Sequence, residues 1–181
     1  MNTDLLTVRP ALLDDYKSIV DYFLTADEAF LSGMGVDLSK LPERDKWIQM
    51  LEADHYLPLE EKQFFYMLWQ VDDLPVGHCN INKIIYRQEA HLHLHLWQSH
   101  KRVQGLGVQL LTFSLPYFFE KFGLKKLYCE PMAANAAPNR TLQKIGFEFI
   151  KSYDTTPGWI NRYQTVNRWC LTQEKLKEMC V

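Results

Sequence analysis

The side chains with the most chemistry to offer fall in two places. The first is His91-Leu92-His93-Leu94-His95-Leu96-Trp97, which runs through a short polar link into Arg102-Val103-Gln104-Gly105-Leu106-Gly107. The second is Glu130, followed by Asn135 and Asn139. Imidazoles and carboxylates move protons, and a glycine-bearing helix start binds anions. Such a start leaves backbone N–H groups without partners at the positive end of the helix dipole. Glycine lets that backbone come close to a phosphate, and Arg102 adds a mobile cation. The segment does not read as a dinucleotide fingerprint, because the third glycine and the later acidic residue are absent at the required offsets.

The strict alternation of His91, His93 and His95 has period two, so the three share one face of a strand. A strand would space them ~6.8 Å apart, too far for one metal ion to be held comfortably. No metal is expected. A hydrogen-bonded interior set is the plainer reading. His78 can join the same cluster from across a hairpin.

These residues need a frame. Leu5–Arg9 reads as a strand and Ala11–Leu24 as an amphipathic helix with Asp14 and Asp15 in its opening turns. Asp27–Lys62 is broken by Gly33, Gly35, Pro42 and Pro58, with Leu41–Ala53 its best helical piece. Gln63–Val71 and Val76–Ile85 form a hairpin about the turn Asp72-Asp73-Leu74-Pro75. Ala90–Trp97 is a strand, and Gly105–Phe122 a helix that Pro116 should interrupt and kink. Then come strand Leu124–Met132, helix Asn135–Ile145 closed by Gly146, and strands Phe147–Tyr153 and Thr165–Leu171. A short polar helical tail, Thr172–Met179, ends the pattern. The order implies an α/β (α+β) fold, a mixed sheet with helices on both faces.

Composition narrows the class. At 181 residues with 47% hydrophobic and 23% charged residues, the chain suits one globular domain. A net charge of −2 without a basic stripe argues against nucleic acid. No apolar run is long enough for a membrane span, and the first residues lack a signal peptide's pattern. Four cysteines without close pairing or metal-ligand spacing suit reduced thiols in a cytoplasm. Between Asp27 and Glu61, nine acidic residues face three basic ones, a lobe that either is simply solvated or attracts a cationic partner.

Arg102-x-x-Gly105-x-Gly107 after a strand resembles the acetyl-CoA motif of the GNAT superfamily of N-acetyltransferases. Downstream, Asn135, Lys144, Gly146 and Phe147 resemble that family's later motif, an Asn, a helix, then Lys-x-Gly-Phe. The element order agrees over about Leu5 to Leu171, and Glu130–Phe147 looks like the same stretch of ribosomal-protein and aminoglycoside 6'-type acetyltransferases. The resemblance implies the GNAT fold, a central mixed, mostly antiparallel sheet of six to seven strands in a single domain over 1–181. Acceptor-side helices would occupy about 11–62, the acetyl-CoA core 63–153, and C-terminal strands and tail 154–181.

It also implies roles. The arm of acetyl-CoA would pair with Leu96 and Trp97, and the backbone of Val103, Gln104, Gly105, Leu106, Gly107 and Val108 would take its pyrophosphate beside Arg102. A backbone N–H near Leu96 would polarise the thioester carbonyl. Asn135 and Asn139 would hydrogen-bond the arm. Glu130 is the first candidate base, with a structural carboxylate as the alternative, and His95 the next. Asp27, Glu28 and Trp159 would border the acceptor. Many relatives carry a tyrosine as acid where this chain has Leu142; Tyr128, Tyr153, Tyr163 or water would have to substitute. The expected reaction is acetyl transfer to a primary amine of a small molecule or peptide, the acidic lobe favouring a cationic one. A hydroxylamine or aminoglycoside-type acceptor, or a catalytically silent acetyl-CoA-binding module, are the alternatives. Monomer and homodimer are both open, with an edge near Thr165–Leu171 able to pair between copies.

Overall fold

The computed structural model describes residues 5–97 and 105–179. Seven strands form one sheet in the order β1-β2-β3-β4-β5-β7-β6. They are β1 (Leu6–Pro10), β2 (Phe64–Val71), β3 (Leu74–Ile85), β4 (Glu89–Leu96), β5 (Lys126–Cys129), β6 (Glu148–Thr155) and β7 (Gln164–Thr172). Every neighbouring pair is antiparallel except β4 with β5. The helices are α1 (Asp15–Thr25), α2 (Glu28–Gly33), α3 (Arg44–His55), α4 (Leu106–Phe122), α5 (Ala136–Ile145) and α6 (Gln173–Met179).

Alternation along the strands sorts side chains into two cores. Met67, Trp69, Cys79, Ile81 and Leu92 pack on one face with Leu110, Leu111, Leu115, Phe118 and Phe122 of α4. Each such fully buried Leu or Phe contributes about 1.5–3 kcal/mol. On the other face Tyr66 joins Ile19, Val20 and Phe23 of α1 and Trp47, Ile48 and Leu51 of α3. The imidazoles of β4 lie on this second face, His95 against Phe23 of α1, because Leu92 and Leu94 take the first. A buried relay ties the α4 side together: Trp69 Nε1 donates to Ser114 Oγ, which donates to the Leu110 carbonyl.

Three expectations change. Helix α4 runs unbroken through Pro116; packing of its apolar face outweighs the lost hydrogen bond. The β2–β3 turn needs only two residues, since Asp72 and Asp73 both take positive φ (49° and 63°), the geometry that matches strand twist. Strand β7 is no edge: it lies between β5 and β6, which leaves β6 at the border with Phe149 and Ile150 half exposed. A return to the sheet by β7 beside β5 satisfies both of that strand's edges, which local sequence could not reveal. Among the described residues no helix is long and apolar enough to cross a membrane.

Candidate functional site

The ladder between β4 and β5 is short. It joins Glu89–Leu92 to Lys126–Cys129 and stops there. Strand β4 then continues beside β3 to Leu96, in an even register from His91↔Asn82 to Leu96↔Gly77. The Trp97 N–H donates to the Val76 carbonyl, 2.9 Å away. Amide direction alternates along a strand, so the N–H groups of Leu94 and Leu96 face the other side, where β5 has ended. The chain thus opens a notch between two strands.

Helix α4 begins just past that notch. Gly105 heads it at φ 71°, a left-handed conformation that any side chain would strain. A Cβ at Gly105 would meet nothing within 4 Å, so the turn is open to solvent, whereas one at Gly107 would press Leu96 Cδ1 at 3.4 Å. The first glycine therefore serves the turn and the second the packing of α4 on β4. The amides of Leu106 and Gly107 head the helix, while those of Val108 and Gln109 already bond the Gly105 carbonyl. Arg102, Val103 and Gln104 lie outside the described residues.

A cleft on the α1–α3 side receives both lips of the notch, with about 910 Å³ of open space. Its walls include Leu92, His93, Leu94 and His95 from β4, and Cys129 and Glu130 from the end of β5. Asn80 and Asn82 come from β3, where they alternate with Cys79 and Ile81 as the histidines alternate with leucines. That alternation is visible in the sequence. Trp159, from the β6–β7 loop, closes the outside and stacks edge-on against Trp47, ring centres 5.4 Å apart.

Glu130 reads differently in three dimensions. Its side chain is only 5% exposed. Tyr153 of β6 donates a hydrogen bond to Oε1, Arg168 of β7 lies 3.4 Å from that oxygen, and His91 Nδ1 lies 3.5 Å from Oε2. Burial alone would raise the carboxyl's pKa. The hydrogen bonds of His91 and Tyr153 and the charge of Arg168 outweigh it and hold the group at about 2. So strong an acid leaves a feeble base, and the geometry is that of a clamp at the root of the notch, joining the end of β5 to β4, β6 and β7.

Burial holds His78 and His93 neutral instead. Trp97 Nε1 donates to His78 Nδ1 at 2.8 Å, which leaves the His78 proton on Nε2. Burial and the nearby His93 push His78 down to about 3. Burial, His91 and Lys83 push His93 to about 4, with Nε2 bound to Asn82 Oδ1 at 3.1 Å. His95 stacks on His78, ring centres 4.9 Å apart, and its Nδ1 lies 3.5 Å from the Tyr22 hydroxyl.

Several other expected residues part company. Trp97 turns its amide to Val76 and its indole to His78, so of the Leu96–Trp97 pair only Leu96 faces the notch. Val108 spends its N–H inside α4. Asn135 lines the cleft, but Asn139 does not. The Asn139 amide group donates to the Met132 and Asn135 carbonyls and its oxygen accepts from Asn167 and Trp169, a structural knot. Asp27 caps α2 by accepting from the Phe30 N–H, and Glu28 is exposed in that helix's first turn. Neither shares the cleft with Trp159; Asp27 borders a separate shallow groove with Tyr22 and Trp97. Leu142 is fully buried in the α4-side core.

Residues 6–148 match the family described as acetyltransferase (GNAT) domain. The chain belongs to that family, whose donor is acetyl-CoA. Its fold is similar to that of spermidine N-acetyltransferase from Vibrio cholerae in complex with CoA and spermine, at 17% identity and TM-score 0.75 over 95% of this chain and 98% of that one. The ribosomal L7/L12 alpha-N-protein acetyltransferase RimL, in complex with coenzyme A, gives 16% identity and 0.75 over 96% and 97%. Aminoglycoside acetyltransferase AAC(6')-Ib in complex with coenzyme A gives 14% and 0.72 over 98% and 100%. No curated protein matches the chain significantly by sequence. The residues present suit the donor: an open left-handed glycine turn, two helix-heading amides and an unladdered strand edge form a path for a pyrophosphate and its extended arm.

Proposed function

We propose that this chain is an N-acetyltransferase that passes the acetyl group of acetyl-CoA directly to a primary amine. The observation that carries the reading is the notch, because both its lips stand in the wall of the cleft that His95 also lines. The named relatives act on spermidine, a ribosomal protein and an aminoglycoside, which supports an amine as acceptor.

Acetyl-CoA supplies an acyl group already activated as a thioester. The amides of Leu106 and Gly107, the Gly105 turn and the adjoining Arg102, Val103 and Gln104 hold its phosphates. Asn135 steadies the arm, and a backbone N–H of β4 near Leu96 hydrogen-bonds an oxygen that gains negative charge. An ammonium is no nucleophile, so its proton must leave first. His95 takes it, from its place in the cleft wall with Tyr22 at its Nδ1. Glu130 acts beneath, fixing the strands that form the notch. No phenol stands at the Leu142 position, and a thiolate of pKa about 8.5 departs without one. Three buried free thiols, Cys79, Cys129 and Cys170, support a cytoplasmic setting.

A thiol-release assay over a panel of primary amines tests the reading. Steady CoA release with at least one amine is expected; tight donor binding without release across the panel would leave only a binding module. Gly105→Glu should abolish acetyl-CoA binding by filling and charging the open turn, with the melting temperature as the control. Unchanged affinity would move the phosphate site elsewhere.

A further inference from the structure

Three residues lie side by side across the floor of the cleft. Tyr66 of β2 stands opposite Asn80 of β3, and Asn80 opposite His93 of β4. Directly opposed side chains share one face of a sheet, roughly 5 Å apart, and all three of these line the cleft. His95 is one row further along β4 and so diagonal to Asn80, roughly 7 Å away. The row therefore lies one step from the imidazole that takes the amine's proton.

His93 has its Nε2 bound to Asn82 Oδ1. Asn80 is 7% exposed, and its carboxamide makes no hydrogen bond to a described residue. Its polar atoms are not sealed in, as Trp47 Nε1 and Gln164 Oε1 are. A carboxamide so nearly buried is costly to leave unbonded, and the cleft it lines is where a partner can reach it. The row also carries no charge at neutral pH. Burial pushes the Tyr66 phenol up, and burial with His91 and Lys83 holds His93 at about 4. A surface of this kind recognises a neutral group that both gives and takes a hydrogen bond, as a hydroxyl does.

We infer that Asn80 selects the acceptor, and that the acceptor is an amino alcohol with its hydroxyl about four bonds from the amine. Four single bonds of an extended chain cover about 5 Å, which with a hydrogen bond at each end spans the step from His95 to Asn80. The Asn80 carboxamide bonds the hydroxyl while the amine meets His95. The amine's place at His95 rests on the transferase reading; the hydroxyl's place at Asn80 does not.

The test sets 3-amino-1-propanol against butylamine, which carries a methyl in place of the hydroxyl, on the full chain. CoA release gives kcat and KM, and calorimetry gives binding to the CoA-loaded protein. The amino alcohol should be favoured about tenfold in kcat/KM and in affinity, the worth of one hydrogen bond to a nearly buried group. In Asn80→Leu that preference should vanish through the KM of the amino alcohol, while the affinity for acetyl-CoA holds. Asn80→Ala, smaller at the same place, should lose it too and serves if Asn80→Leu folds poorly. A merely structural Asn80 would weaken both amines alike; a preference that survives in the variants overturns the inference. So does its absence in the wild-type protein, whatever the variants do. Preferential binding that depends on Asn80 but yields no CoA keeps the subsite and removes the transferase reading. CoA release without the preference keeps the transferase and removes the subsite, and failure of both amines to bind or react also removes it.

Discussion

Two polar clusters share one face of β4, and they hold charge in opposite ways. Around Glu130 a carboxylate, a guanidinium, a phenol and an imidazole converge from four strands, and the carboxyl is driven down to about 2. Around His95, His78 and Trp97 no formal charge is stabilised: burial drives His78 down to about 3, so it stays a neutral ring among rings. The first cluster resists change because each group satisfies another. The second holds His78 neutral among rings, stacked beside the His95 that lines the cleft. Residue type alone would have given the carboxylate the chemistry and the histidines the packing; their surroundings support the opposite assignment proposed above.

The largest effect that could break this contrast is on stability. Glu130→Ala should cost about 3–5 kcal/mol in urea unfolding at pH 7, because Arg168 is left inside without its partner. A loss under about 1 kcal/mol would mean the clamp holds little together. Next comes turnover: His95→Gln should lower kcat on the order of 100-fold, the usual worth of a positioned base, with little change in unfolding. If Glu130→Gln were the variant that stayed fully folded and lost kcat, the two roles would have to be exchanged.

Acidification separates the clusters by window. His78 and His93 have folded values of about 3 and about 4 against 6.5, so below 6.5 the unfolded chain binds more protons and stability falls as pH drops toward those values. Glu130, held at about 2 against 4.5, adds its loss only as pH falls below about 4.5. Unfolding free energy should therefore begin to decline near pH 6.5, and His78→Phe should flatten that upper limb alone. A flat profile from 6.5 to 5 would show that the histidines titrate freely. The smallest effect is that of Trp97→Phe, which removes the 2.8 Å bond to His78 and should cost about 1 kcal/mol.

Much of the frame was legible because its causes are local. Period-two alternation marks β4 whatever surrounds it, helical spacing marks α1 and α4, and Gly105 and Gly146 mark turns that need positive φ. The partners of Asn139 and Glu130 were not legible, for the opposite reason. Nothing near Asn139 in the chain says that Asn167 and Trp169 will return to occupy it, and nothing near Glu130 announces Tyr153 and Arg168. Asp27 was placed at the acceptor by the family resemblance; the backbone of α2 uses it as a cap.

The sequence by itself determined the family, the glycine turn before α4, and the face on which the histidines stand, since each follows from residue type and spacing along one segment. Tertiary structure alone decided where β4 and β5 part, which groups would be charged, and which polar atoms of Trp47 and Gln164 would be buried unmet. Those depend on desolvation and on partners 11 to 39 residues away, and neither is written in any one stretch of chain.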